Sequence, residues 1–170
     1  MKHIFLIALI IGFGILTRAQ TEYEVSGDGT HKILKGIISP ELLSQDSAFS
    51  WWRANQAGYI PDQNTVASLK ARGANLQFMV FGGTWSGLSQ ALLPKFFSLL
   101  DAASFPPDHI ILVGVDPDKN DIDHLTDDMH ITRIPSFILL KDGKELGRVV
   151  EDGKAGHWDR EIGELVTAAH

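Results

Sequence analysis

Ser86 and Ser89 lie in the phrase Phe-Gly-Gly-Thr-Trp-Ser-Gly-Leu-Ser-Gln that spans residues 81 to 90. A serine becomes a nucleophile only when a general base within hydrogen-bond reach takes its proton and a third group orients that base. The residues around the pair are Gly, Leu, Thr and Gln, which supply neither. The structural role is better supported: serine is a good N-cap for a helix that starts here and runs toward Pro94. A second concentration of chemistry is the stretch 116–130, with six aspartates and two histidines. Asp116, Asp118 and Asn120 alternate as in a calcium loop, but Asp121 stands where such a loop needs glycine, and Asp127 where it needs a bidentate glutamate. Aspartates near a helix start also meet its dipole, and His124 with Asp128 has the i, i+4 spacing of a surface pair. No metal site and no cofactor are expected. His31, His109 and His157 have no ligating spacing. The chain contains no cysteine, so no thiolate and no disulfide is possible.

The elements that must hold the serine turn can be read on both sides of it. Residues 31–39 are short and β-branched, a strand that ends before Pro40. Ser39 suits an N-cap and Pro40 a first helical turn, in a helix carrying Leu42, Leu43, Phe49 and Trp52 on its apolar side. The adjacent Trp51 and Trp52 would form either a ligand platform or core packing, and packing is the better reading because each ring buries a large apolar area. Gly58 to Asp62 breaks the pattern, and residues 62–72 resume as a helix stopped by Gly73. The runs 75–83 and 108–116 read as buried strands, a parallel pair joined by a crossover helix over 86–103. A short helix in 121–130 is followed by two strands joined at Asp142-Gly143, a strong hairpin signal. Trp158, Ile162, Leu165 and Val166 then repeat at helical spacing. The fold class is α/β, with a central mixed sheet flanked by helices and an N-terminal strand-helix extension.

Composition bounds the address and the partners. Residues 1–19 have a basic start, an apolar run from Ile4 to Leu16 and a small-residue exit, the parts of a signal peptide cleaved after Ala19. The alternative is an uncleaved anchor, although the run is shorter than the roughly 20 apolar residues of a spanning helix. Residues 20–30 read as a flexible leader, 31–74 as the N-terminal strand and helices, and 75–170 as the core. The full chain has 170 residues, 44% of them apolar, enough for one domain with one core. Its formal charge of −6, more negative once Lys2 and Arg18 are removed, opposes nucleic acid and anionic membranes as partners. Nothing in the sequence sets the oligomeric state.

From residue 75 onward the element order resembles the thioredoxin family, and particular residues strengthen the match. Trp85 occupies the position of the family tryptophan, Ser86 and Ser89 the two cysteine positions of its Trp-Cys-x-x-Cys turn, and Pro94 that of its helix proline. Val115, Asp116 and Asp118 resemble the family's second-strand ending. Ile134-Pro135 resembles the isoleucine and cis-proline before the final hairpin. The resemblance implies a thioredoxin-like fold and a groove that pairs an extended peptide with backbone beside that proline. Its walls here would be Thr84, Trp85, Gly87 and Leu88 on one side and Arg133, Ile134 and Pro135 on the other, with Trp85 exposed. Val80 replaces the family's buried aspartate, so together with the two serines it removes redox function. The segment preceding residue 75 is similar to that of secreted Bacteroidetes members, which implies a periplasmic or secreted location. Two functions follow from the resemblance: a redox-silent module that binds peptide or unfolded segments, or a member of a thiol-disulfide pathway whose cysteines are replaced by serine, in nature or by engineering.

Overall fold

A computed structural model describes residues 23–29 and 31–169. The signal peptide expected over residues 1–19 lies outside the described residues. Strands β1 (Tyr23–Ser26) and β2 (Ile33–Ile38) form an antiparallel hairpin at one edge of a six-stranded sheet. The polar composition of residues 20–30 predicts a flexible leader, but Tyr23–Ser26 is a strand. Its backbone finds partners in β2, and Tyr23 packs onto the core, so strand pairing outweighs the weak side-chain signal.

Ser39 caps α1 (Pro40–Gln45) as its spacing predicts, its Oγ accepting from the Leu42 N–H. The single helix expected after Pro40 is in fact broken. Asp46 leaves helical geometry and its carboxylate accepts from the Ala48 N–H, starting a 3-10 turn before α2 (Trp51–Gln56). Helix α3 (Gln63–Arg72) starts under an Asp62 cap and ends at Gly73. Strand β3 (Gln77–Gly82), helix α4 (Gly87–Ala102) and strand β4 (Ile110–Gly114) follow, with β3 and β4 parallel. One turn of helix, α5 (Leu125–Asp128), leads to the hairpin of β5 (Ser136–Lys141) and β6 (Lys144–Val150), and α6 (Trp158–Ala168) closes the chain. The hairpin turn has Asp142 and Gly143 both at positive φ, as a primed two-residue turn requires.

The strand order is β1-β2-β4-β3-β5-β6, so β3 is central and its carboxyl end is where the serine turn begins. One face of the sheet, including Leu34, Phe78, Val80, Leu112, Phe137 and Leu139, carries the larger core. There α2 packs on α4 and α3 on α6. A continuous train of rings crosses this core: Trp51, Trp52, Phe97, Phe96, Phe137, Trp158 and Tyr59, with successive centroids 4.7 to 5.9 Å apart. Trp52 and Trp158 are buried and Trp51 is half-buried, so the tryptophan pair is packing. The other face is a smaller cluster of Phe81, Val113, Val115, Ile131, Ile134, Ile138 and Leu140, capped by Leu125 and Met129.

Candidate functional site

The turn Gly83–Ser86 connects the central strand β3 to the sixteen-residue helix α4. Ser86 is the helix N-cap, its Oγ accepting from the Ser89 N–H at 3.4 Å. Ser89 is fully buried, and its Oγ accepts from the Gly83 N–H at 3.2 Å. Both hydroxyls thus satisfy orphan amides at the strand-to-helix junction. No histidine, carboxylate or lysine hydrogen-bonds to either serine among the described residues, so neither is activated as a nucleophile. Gln90 donates from Nε2 to the Thr84 carbonyl at 2.7 Å, and Asn55 of α2 donates to the Gln90 carbonyl at 3.1 Å, bracing the turn from the helical side.

Trp85 is 38% exposed, and its indole N–H donates to the Val115 carbonyl just beyond β4 at 2.9 Å. This fixes the ring over the end of the sheet. Gly87 and Leu88 are also exposed, Leu88 at 36%. Thr84, expected in the groove wall, faces inward: it is buried, donates to the Lys32 carbonyl at 2.9 Å and accepts from the Leu34 N–H at 3.1 Å. Its hydroxyl is drawn in because β2 would otherwise leave two backbone groups unpaired beside the turn.

Across the turn lies the loop 130–135, with a cis peptide bond between Ile134 and Pro135. The Arg133 carbonyl accepts from Ser136 Oγ at 2.7 Å, and the Pro135 carbonyl accepts from the Glu151 N–H at 2.7 Å. Among the described residues, no hydrogen bond engages the amide or carbonyl of Ile134. The side chains of Ile134 and Pro135 are buried and that of Arg133 is exposed. The two sides meet at Gly83, where an added Cβ would lie 2.6 Å from Trp85 Nε1 and 3.0 Å from Ile134 Cδ1. Only glycine admits both side chains at that distance. Sequence reasoning passed over Gly83, although the Gly82-Gly83 doublet at a strand end is a signal of close approach. It also passed over Glu151, whose partners Arg133 and Pro135 are distant in sequence.

The acidic stretch is used locally. Asp116 accepts from the Asn120 N–H at 2.9 Å and lies 3.7 Å from Lys35 Nζ. Asp121 is buried and accepts from the amides of Asp123, Leu125 and Thr126 and from the Thr126 hydroxyl. Burial pushes its carboxyl up, but these donors outweigh that and hold it below the ordinary aspartate range. His124 approaches Asp127 at 3.8 Å rather than pairing with Asp128. No group of three His, Cys, Asp or Glu side chains among the described residues is arranged to hold a metal ion.

No family model matches the sequence. Among curated proteins, a thioredoxin of Echinococcus granulosus is 32% identical over 97 residues, covering 57% of this chain and 80% of that protein. The chain belongs to the thioredoxin family. Thioredoxin-2 of Pyricularia oryzae is 33% identical over 70 residues, which is 41% of this chain and 37% of that protein. Among solved structures, a Pseudomonas aeruginosa protein of unknown function superposes with a TM-score of 0.51 at 16% identity, over 76% of this chain and 91% of the other. The chain has serine at 86 and 89 and no cysteine anywhere, so it has no thiol with which to exchange a disulfide. Buried Val80 likewise offers no proton.

Proposed function

We propose that this chain is a redox-silent thioredoxin-family module that holds an extended peptide or unfolded protein segment in the cleft between the Trp85 turn and the Ile134-Pro135 loop, after export to a periplasmic or extracellular space. The observation that carries the reading is the Ile134 backbone, without a hydrogen bond among the described residues, across Gly83 from exposed Trp85. An amide and a carbonyl left open beside apolar side chains are what a strand-like ligand pairs with: main-chain bonds give affinity and flanking pockets give selectivity. Such binding needs no thiol. The hydroxyls at 86 and 89 support the turn from within, so the cleft keeps its shape without cysteines.

The test is photo-crosslinking from a benzophenone residue at position 88, offered an unfolded protein whose own thiols are blocked. Capture at the native level, reduced at least severalfold by Trp85→Ala, is expected. Equal capture by the Trp85→Ala protein would end the cleft reading, because the ring would then contribute nothing to the bound segment.

A further inference from the structure

We infer that Arg133 selects the bound segment by charge, so that the preferred ligand is an extended peptide with an acidic side chain close to the residue that pairs with Ile134; this rests on the cleft reading above. Arg133 immediately precedes Ile134, whose amide and carbonyl have no hydrogen bond among the described residues, and the Arg133 side chain is 62% exposed. Both its root and its tip are fixed. The Arg133 carbonyl is tied to Ser136 Oγ, and Nη1 donates to Glu151 Oε2 at 2.9 Å. Glu151 is itself anchored, with a positive φ of 58° and its N–H on the Pro135 carbonyl. The Arg133 side chain is therefore held by a residue locked to the same loop.

A guanidinium carries five N–H donors in a planar fork. Among the described residues Glu151 engages Nη1 and nothing engages Nε or Nη2, which leaves them for a second carboxylate. Lys32 and Lys35 are already committed, to Asp46 at 2.6 Å and to Asp116 at 3.7 Å. Trp85 and Leu88 are the exposed apolar side chains of the turn. An apolar residue followed by a carboxylate is the pattern that satisfies both walls at once. The competing influence is the chain's net negative charge and the aspartates that follow Val115, which favour a basic ligand at long range. A direct charge-assisted hydrogen bond acts at contact and outweighs a field screened over roughly a Debye length, about 8 Å at physiological salt.

Three fluorescein-labelled peptides of alternating valine and threonine, blocked at both ends and differing only in a central Glu, Gln or Lys, test this by anisotropy. The Glu peptide is expected to bind roughly tenfold tighter than the Gln peptide, from the contribution typical of a hydrogen bond to a charged group. The Lys peptide should bind weakest. Arg133→Gln should level Glu with Gln while keeping the Gln peptide's affinity, and Arg133→Lys should recover only part of the preference, because it restores charge without the fork. Equal binding of all three peptides, or tighter binding of Lys, overturns the inference while the cleft reading survives, provided that Trp85→Ala and Leu88→Asp still weaken them. Absence of binding by every peptide overturns both.

Discussion

Thr84 joins the N-terminal hairpin to the turn after β3 through a single buried hydroxyl that donates to the Lys32 carbonyl and accepts from the Leu34 N–H. Its partners are 52 and 50 residues away in sequence, so nothing local distinguishes it from a surface threonine. Replacing it with valine keeps the volume and removes both bonds, leaving a buried amide and a carbonyl without partners. Such groups cost about 1–3 kcal/mol each, so Thr84→Val should lower stability by about 2–6 kcal/mol. Urea denaturation checks the loss, and hydrogen exchange adds a sharper readout, since the Leu34 amide should lose protection while the centre of β3 keeps it. An unchanged denaturation midpoint would mean that water replaces the hydroxyl and that the hairpin is held by strand pairing alone. Trp85 and Leu88 differ from Thr84 in lying exposed on the surface of the same turn.

Legibility is higher among the elements, and its failures have identifiable causes. Helix α4, the parallel pair β3 and β4, and the β5-β6 hairpin follow from long apolar runs and strong punctuation, signals that tertiary contacts reinforce. The break between α1 and α2 was hidden because Leu42, Leu43, Phe49 and Trp52 keep an apolar periodicity while the Asp46 carboxylate caps a new turn. The edge strand β1 was hidden for the opposite reason, since three of its four side chains are exposed and its order comes from backbone pairing. In the acidic segment the sequence displays charge but not its use: Asp121 organises the approach to α5 by accepting four hydrogen bonds. Because its folded pKa lies below the unfolded value of about 3.9, the ionised form favours the fold. That stabilisation is present above the unfolded value and is lost as the pH falls through the folded one. Asp121→Asn should therefore destabilise the protein by about 1–3 kcal/mol near neutral pH, with the gap to the native protein narrowing below about pH 4. Thermal melts across pH 3 to 7 test the sign, and a gap that widened in acid would refute it.

Across the whole molecule, a thioredoxin fold is built from a chain without cysteine, and the two serines of the turn allow scaffold and thiol chemistry to be separated. Ser86 lies half-buried at the start of a sixteen-residue helix, whereas Ser89 is fully buried behind it. If the scaffold still carries the electrostatics of a thiol site, a cysteine placed at the first position should ionise below its ordinary value of about 8.5, because the helix dipole and the free amides of the first turn favour an anion there. A cysteine at the second position should be shielded from reagents by the packing that now covers Ser89. Iodoacetamide should thus alkylate Ser86→Cys rapidly, with a half-point below pH 8.5, and should scarcely modify Ser89→Cys in the folded state. Carrying both substitutions, the protein should close an intramolecular disulfide under mild oxidant, visible as a two-proton mass loss reversed by reductant. Equal reactivity at the two positions, or an ordinary pH profile for Ser86→Cys, would show that serine accompanied a deeper remodelling of the turn. The expected asymmetry would instead show that the turn supports thiol chemistry as soon as the thiols are supplied.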